Sequence, residues 1–170
     1  AISIISTFVV LLFSKFLGSF LILITIWVYY FFRDPERFPV NDDSFLVSPA
    51  DGLVIDISER TGPMELQLEN TSYTKISIFM NVFNCHVNRT PLTGTIEEIS
   101  YKPGKFLNAS LDKASDENER NYYKIKCAKS GEEIIIVQIA GLIARRIVCE
   151  VEQGQSLKQG DRIGMIRFGS

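Results

Sequence analysis

The first 32 residues contain one charged side chain, Lys15, and this apolar stretch constrains the chain more than any other feature. Two apolar runs, Ile2 to Phe13 and Phe20 to Phe32, flank an interruption of small and polar residues around Gly18. A helix needs about 20 apolar residues to cross a bilayer core, so each run is short and the pair is long for one span. A helical hairpin or one tilted span would fit, and a glycine beside serines favours a hairpin that turns at Gly18. We therefore expect residues 1–32 to form a membrane anchor.

The residues around the end of this stretch indicate its orientation. An aromatic cluster that begins at Trp27 is typical of the membrane interface, and Arg33 and Arg37 follow it directly. A cleaved signal peptide fits poorly, because no charged segment precedes the first apolar run. The positive-inside tendency therefore predicts that a second domain, residues 33–170, faces the cytoplasm.

The remainder of the chain has the pattern of a mainly β protein. Short apolar runs alternate with glycine- and proline-rich turns, and no helical pattern of ten or more residues alternates with them. This favours a compact antiparallel sandwich or barrel over a doubly wound α/β fold. The stretch from Val151 to Asp161 is similar to the hairpins of lipoyl- and biotinyl-carrier domains. The predicted strands are Leu46–Val47, Leu53–Ile57, Lys75–Met80, Gly94–Tyr101, Tyr122–Ala128, Glu133–Ala140 and Ile147–Glu150.

Two short motifs place polar side chains next to predicted strands. Ser48-Pro49-Ala50-Asp51-Gly52 puts an acid in a tight turn, where Asp51 is either a functional carboxylate or a turn-forming residue. The block from Asn81 to Pro91 contains His86, the only histidine of the chain, together with Arg89. One histidine excludes any mechanism that needs two from this chain. By itself, His86 is equally well explained as a hydrogen-bonded core residue.

Three cations and one lysine turn complete the candidate residues. Arg145 and Arg146 follow an apolar strand, and a planar guanidinium suits phosphate or carboxylate as well as it suits a structural ion pair. Lys105 lies in a turn after Pro103-Gly104. The triplet around Lys113 is similar to the lysine turn that receives lipoate or biotin, although a long polar loop follows it. A net charge of −2 gives no indication of a nucleic-acid partner.

Taken in order, these blocks resemble the phosphatidylserine decarboxylase family, in its short bacterial and archaeal form, over nearly the whole chain. The matching blocks are Phe31 to Arg37, Ser48 to Gly52, Asn81 to Pro91, Pro103 to Phe106, Lys113 to Ser115, Asn118 to Arg120, Gln138 to Arg146 and Arg167 to Ser170.

The resemblance implies a proenzyme that makes its own cofactor by self-cleavage. Gly169 would be the cleavage position, and Ser170 would become a pyruvoyl group at the start of the downstream fragment. Asp51 is carried over as part of the cleavage machinery. Long-form members have a second histidine where this chain has Arg89, and arginine stays protonated. The base that activates Ser170 is therefore Asp51 or His86, or a water relays the proton.

The resemblance also implies the substrate and the partners. Phosphatidylserine would lose CO₂ to give phosphatidylethanolamine, with His86 near the substrate carboxylate and Lys105, Arg145 or Arg146 as hypothetical ligands of the lipid phosphate. The expected partners are the phospholipid, the membrane and a downstream chain that carries the pyruvoyl group and completes the fold. We expect no metal ion and no nucleic acid, and a homo-oligomer is left open.

Two other classes of protein fit parts of the sequence. A membrane-anchored lipoyl- or biotinyl-type carrier domain would be modified at Lys113. A membrane-tethered metallopeptidase would need several histidine or acidic ligands around zinc, which one histidine hardly supplies. Neither class explains the ordered blocks.

Overall fold

The computed structural model describes residues 2–40, 42, 44–108 and 114–168, and it divides the chain into two compact units, Ala1–Asp34 and Pro35–Ser170. The predictions that concern Lys113, Gly169 and Ser170 lie outside the described residues.

The first unit consists of two helices, α1 (Ile2–Phe13) and α2 (Lys15–Phe31), which are separated by one residue. Ser14 has an extended backbone (φ −156°, ψ 109°), and its side chain accepts a hydrogen bond from the backbone N–H of Leu17. A serine in this position caps the following helix. The predicted turn at Gly18 is therefore wrong, because Gly18 lies inside α2 and the interruption falls at Ser14.

The two helices pack against each other, as a hairpin requires. Side chains of both helices line one apolar pocket, among them Ile4 and Phe8 of α1 and Ile22 and Ile26 of α2. Among the residues described, neither helix has the length and apolar character that a bilayer-spanning helix needs.

In the described part of the second unit, nine strands pair with one another in antiparallel fashion, which agrees with the predicted mainly antiparallel β class. A 3-10 helix (Met64–Leu66) and a one-turn helix α3 (Ala114–Glu117) interrupt the strands. The strands are β1 (Leu53–Thr61), β2 (Ser72–Phe79), β3 (Val87–Arg89), β4 (Gly94–Lys102), β5 (Arg120–Cys127), β6 (Glu133–Ile139), β7 (Arg146–Cys149), β8 (Ser156–Leu157) and β9 (Arg162–Arg167).

These strands form three sheets. β1 and β2 form a two-stranded ribbon, β3, β9 and β7 form a second sheet in that order, and β6, β5, β4 and β8 form the third. A hydrophobic core cluster joins strands of the third sheet to residues around β7 and β9, and it fixes the two sheets against each other. Its members are Leu92, Ile96, Tyr123, Ile125, Cys127, Ile136, Val151, Leu157 and Ile163.

The structure corrects the strand prediction at four places. Leu46–Val47 is not a strand, although the N–H of Val47 donates a hydrogen bond to the carbonyl of Pro91 (3.0 Å). The strands β3, β8 and β9 had no counterpart among the predicted strands. Of these, β3 and β9 belong to the sheet that positions the candidate site.

Candidate functional site

The candidate site lies at the end of β9, the central strand of the three-stranded sheet. β9 ends at Arg167, and the sequence continues through Phe168 to the predicted cleavage position, Gly169-Ser170. β3 pairs with one edge of β9 and β7 pairs with the other. Groups on both neighbouring strands are therefore held close to the segment that leads to Ser170.

His86 immediately precedes β3 and lies beside the last residues of β9. The backbone N–H of Ile166 donates a hydrogen bond to the His86 carbonyl (3.2 Å). His86 is buried, with 3% of the residue's surface exposed, and its Nδ1 lies 3.1 Å from the carbonyl oxygen of Asn84. Because a carbonyl only accepts, this contact assigns the proton to Nδ1 and leaves the lone pair of the neutral ring on Nε2. This tautomer suits a general base.

The turn that contains Asp51 lies along β3. The N–H of Arg89 donates to the Pro49 carbonyl (2.9 Å), which brings the segment before Asp51 alongside the strand after His86. The Asp51 carboxylate accepts a hydrogen bond from Arg37 Nη2 at 2.5 Å, and both side chains are partly exposed. Arg37 therefore orients the carboxylate. Its role was not predicted from the sequence, although it belongs to a block that carries the resemblance.

Arg89 supports the backbone around this turn. Its guanidinium donates to the carbonyl of Gly160 (2.8 Å) and to the carbonyl of Pro35 (3.3 Å). These bonds connect three segments that are distant in the sequence.

The three predicted phosphate ligands fall into different environments. Lys105 forms an ion pair with Glu117 (2.7 Å) at the surface. Arg145 donates from Nε to the Leu142 carbonyl (2.7 Å), and its guanidinium carbon lies 5.7 Å from the centre of the Phe106 ring. Arg146 begins β7 directly opposite Arg167, the last residue of β9. Of the three cations, the ladder places Arg146 next to the segment that leads to Ser170.

A buried asparagine fixes the loop that carries Lys105 and Phe106. The Asn118 side chain accepts from the Leu107 N–H (2.8 Å) and donates to the carbonyls of Leu107 (2.9 Å) and Ala140 (2.7 Å). One side chain thus connects this loop to the end of β6. The arrangement explains how Phe106 comes to lie near Arg145.

A buried polar chain connects the two larger sheets behind the site. Gln138 Nε2 donates to Asn88 Oδ1 (2.8 Å), and the Tyr123 hydroxyl donates to Gln138 Oε1 (2.6 Å). Gln138 and Asn88 are only 2% and 4% exposed. Burial raises the pKa of the Tyr123 hydroxyl far above its usual value, so the group remains a donor.

Sequence reasoning did not assign a role to these three residues. Asn88 and Gln138 both lie in blocks that carry the resemblance, but only the fold places them in contact. The available signal was Gln138, an amide on the predicted apolar strand Glu133–Ala140, because a buried amide needs a partner.

Comparison with known proteins identifies the family. The family model described as phosphatidylserine decarboxylase matches residues 24–170. A phosphatidylserine decarboxylase proenzyme of Pelagibacter ubique is 66% identical over 170 residues, which is 100% of this chain and 79% of the relative. The proenzyme of Cereibacter sphaeroides is 54% identical over 154 residues (91% of this chain, 66% of the relative). That of Ruegeria pomeroyi is 52% identical over 164 residues (96% and 74%).

The fold and the comparisons lead to one assignment. The chain has an antiparallel β unit with a helical pair before it, and the similar proteins are proenzymes. It belongs to the phosphatidylserine decarboxylase family. The alternative function, a membrane-anchored lipoyl- or biotinyl-type carrier domain, is therefore not favoured.

Proposed function

We propose that this protein, with the segment downstream of Ser170, decarboxylates phosphatidylserine to phosphatidylethanolamine by means of a pyruvoyl group made from Ser170. The family match over residues 24–170 supports the activity. The observation that carries the site assignment is the position of β9, whose end leads to Gly169-Ser170 and lies between His86 and Arg146.

The first reaction is the cleavage of the chain by its own serine. The Ser170 hydroxyl attacks the Gly169 carbonyl and loses its proton to a base, and the peptide bond is replaced by an ester. β-Elimination breaks the ester, frees the Gly169 carboxylate and leaves a dehydroalanine. Water then converts the dehydroalanine to the pyruvoyl group and releases ammonia. Two groups support base catalysis here: the Nε2 lone pair of His86 and the carboxylate of Asp51, which Arg37 orients.

The second reaction is the decarboxylation of the lipid headgroup. The pyruvoyl group supplies an electron sink for the pair released with CO₂. The chain's own residues bind the headgroup and return a proton to the α-carbon. His86 is the candidate proton donor, and Lys105, Arg145 and Arg146 are the candidate ligands of the lipid phosphate.

The substrate connects the reaction to a membrane surface. A two-chain lipid leaves a bilayer only at a cost of ~0.8 kcal/mol for each CH₂ group, so the enzyme must work where the lipid is. We place the protein at the inner (cytoplasmic) membrane, with the β unit in the cytoplasm and the apolar residues 1–32 as its attachment. The orientation rests on Arg33 and Arg37, which follow the apolar stretch.

Intact mass after expression of the chain extended beyond Ser170 tests the proposal. We expect two fragments, a larger one that ends at Gly169 and a smaller one with a pyruvoyl-blocked N-terminus. Ser170→Ala should remain one chain, and Ser130→Ala, in an exposed turn, should cleave normally. A single uncleaved wild-type chain, identical in behaviour to Ser170→Ala, would refute self-processing.

A further inference from the structure

The pairing of β7 with β9 places two arginines directly opposite each other. Arg146 and Arg167 are partners in this antiparallel ladder. Side chains at opposite positions share one face of the sheet, with Cβ atoms roughly 5 Å apart, and like charges there are destabilising. An anion between two such guanidinium groups would remove the repulsion.

The environment of Arg167 supports an anion ligand. Its Nε atom is buried and has no hydrogen-bond partner, and no described carboxylate forms an ion pair with this residue. Arginine stays protonated in proteins, so this donor cannot be neutralised by losing a proton. Buried donors without a partner are rare in native proteins. Arg146 is exposed, so a ligand in solvent or in a lipid surface can reach the pair.

The position of the pair also fits a headgroup bound at residue 170. Arg167 precedes Ser170 by three residues, which span roughly 10 Å at most. The amine of the headgroup has to reach the pyruvoyl carbonyl, and only a few covalent bonds separate that amine from the phosphorus. An arginine side chain is long enough to reach the phosphodiester over this distance.

The substrate has two anionic groups, the reacting carboxylate and the phosphodiester. The positive charge of the arginine pair suits the phosphodiester better. A cation on the reacting carboxylate would stabilise it most before CO₂ leaves, and stronger binding in the ground state than in the transition state slows a reaction. A cation on the phosphodiester has no such effect, because this group keeps its charge throughout. Guanidinium groups also bind phosphate oxygens in a bidentate manner.

We infer that Arg146 and Arg167 together form the subsite for the phosphodiester of the lipid headgroup, an inference that rests on the proposed function. It adds Arg167 to the candidate residues and ranks Arg146 above Lys105 and Arg145, because the ladder pairs Arg146 directly with Arg167.

The test uses processed enzyme from the extended chain and two ligands, glycerophosphoethanolamine and ethanolamine. Both contain the amine, but only glycerophosphoethanolamine contains a phosphodiester. Calorimetry gives their dissociation constants, and KM is measured with short-chain phosphatidylserine. A charge-assisted hydrogen bond contributes about 1.5–3 kcal/mol, so Arg167→Gln and Arg146→Gln should each weaken glycerophosphoethanolamine binding and raise KM by roughly 10- to 100-fold. Ethanolamine binding should not change, and Arg167→Lys should recover part of the loss.

The matched control is Arg162→Gln, which removes an arginine from the other end of the same strand and should leave both dissociation constants unchanged. Equal binding of glycerophosphoethanolamine by wild type and both glutamine variants would overturn the subsite. If Arg167→Gln does not process, the exposed Arg146→Gln carries the test. Failure of the proposed function has a different signature, since the wild-type chain would then form no pyruvoyl group and release no CO₂.

Discussion

At the scale of single residues, His86 and Asp51 are the two candidates for the base of self-cleavage. The contact of His86 Nδ1 with Asn84 leaves Nε2 as the accepting atom, and the His86 carbonyl is bonded to β9 four residues before Ser170. Asp51 accepts from Arg37, at the partly exposed end of a turn. These differences favour His86 as the proton acceptor. They favour Asp51 as a group that orients or stabilises the groups that react in self-cleavage.

We therefore expect His86→Gln to slow self-cleavage by roughly 10²- to 10⁴-fold, the usual contribution of a general base. Asp51→Asn should slow it less. The measurement is the fraction of cleaved chain over time, by mass spectrometry, with thermal unfolding as a control for folding. A larger loss in Asp51→Asn than in His86→Gln would transfer the base role to the carboxylate.

At the scale of elements, the sheet β6–β5–β4–β8 and the sheet β3–β9–β7 are connected by the hydrogen bond from Gln138 to Asn88. Gln138→Leu removes the amide that satisfies both Asn88 Oδ1 and the Tyr123 hydroxyl. A buried polar group without a partner costs about 1–3 kcal/mol, so the free energy of unfolding should fall by roughly 3 kcal/mol.

Urea unfolding of the uncleaved Ser170→Ala protein, followed by the circular dichroism of the β unit, measures this loss. Tyr123→Phe is the matched control, because it removes one hydroxyl and keeps the bond between Gln138 and Asn88. It should cost less than Gln138→Leu. A Gln138→Leu protein within about 0.5 kcal/mol of its parent would mean that the polar chain does not hold the sheets together.

The elements also explain what the sequence can and cannot predict. β4, β5 and β6 were predicted within two residues at either end, because long runs of β-branched and aromatic residues end at clear turns. β3 has three residues, two of them polar, and β9 has a glycine in its middle. Neither strand has an alternating apolar and polar pattern that is long enough to be recognised from the sequence.

Similar reasoning applies to the site. The family blocks around Asp51, His86 and Ser170 could be read from the sequence, since each is a local motif. The opposition of Arg146 and Arg167 depends on the register between two strands that are distant in the sequence. The same is true of the contact between Gln138 and Asn88, which lie in different sheets. No local pattern encodes such pairs.

At the scale of the whole molecule, the helical pair has an unusually apolar exposed surface. Phe13 and Phe16 are 87% and 88% exposed, at the end of α1 and the start of α2. Large exposed apolar surfaces mark interaction sites, and the proposed substrate is a lipid. The ribbon β1–β2 offers a second candidate surface, since Ile57 and Ile76 are paired and exposed. If the helical pair contacts the membrane, substitutions in it should weaken membrane binding. If the ribbon contacts the membrane, substitutions in the ribbon should do so instead.

We expect the helical pair to hold the protein on the membrane. Burying a phenylalanine side chain contributes about 1.5–3 kcal/mol, so Phe13→Ser with Phe16→Ser should weaken binding to phosphatidylserine vesicles by at least about 100-fold, as measured by flotation. Activity on short-chain phosphatidylserine below its micelle concentration should be retained, because the substitutions lie outside the β unit. Ile76→Ser, at a side chain that is 58% exposed on β2, is the control and should bind vesicles like wild type. If Ile76→Ser loses binding and the phenylalanine variant keeps it, the membrane contact belongs to the ribbon.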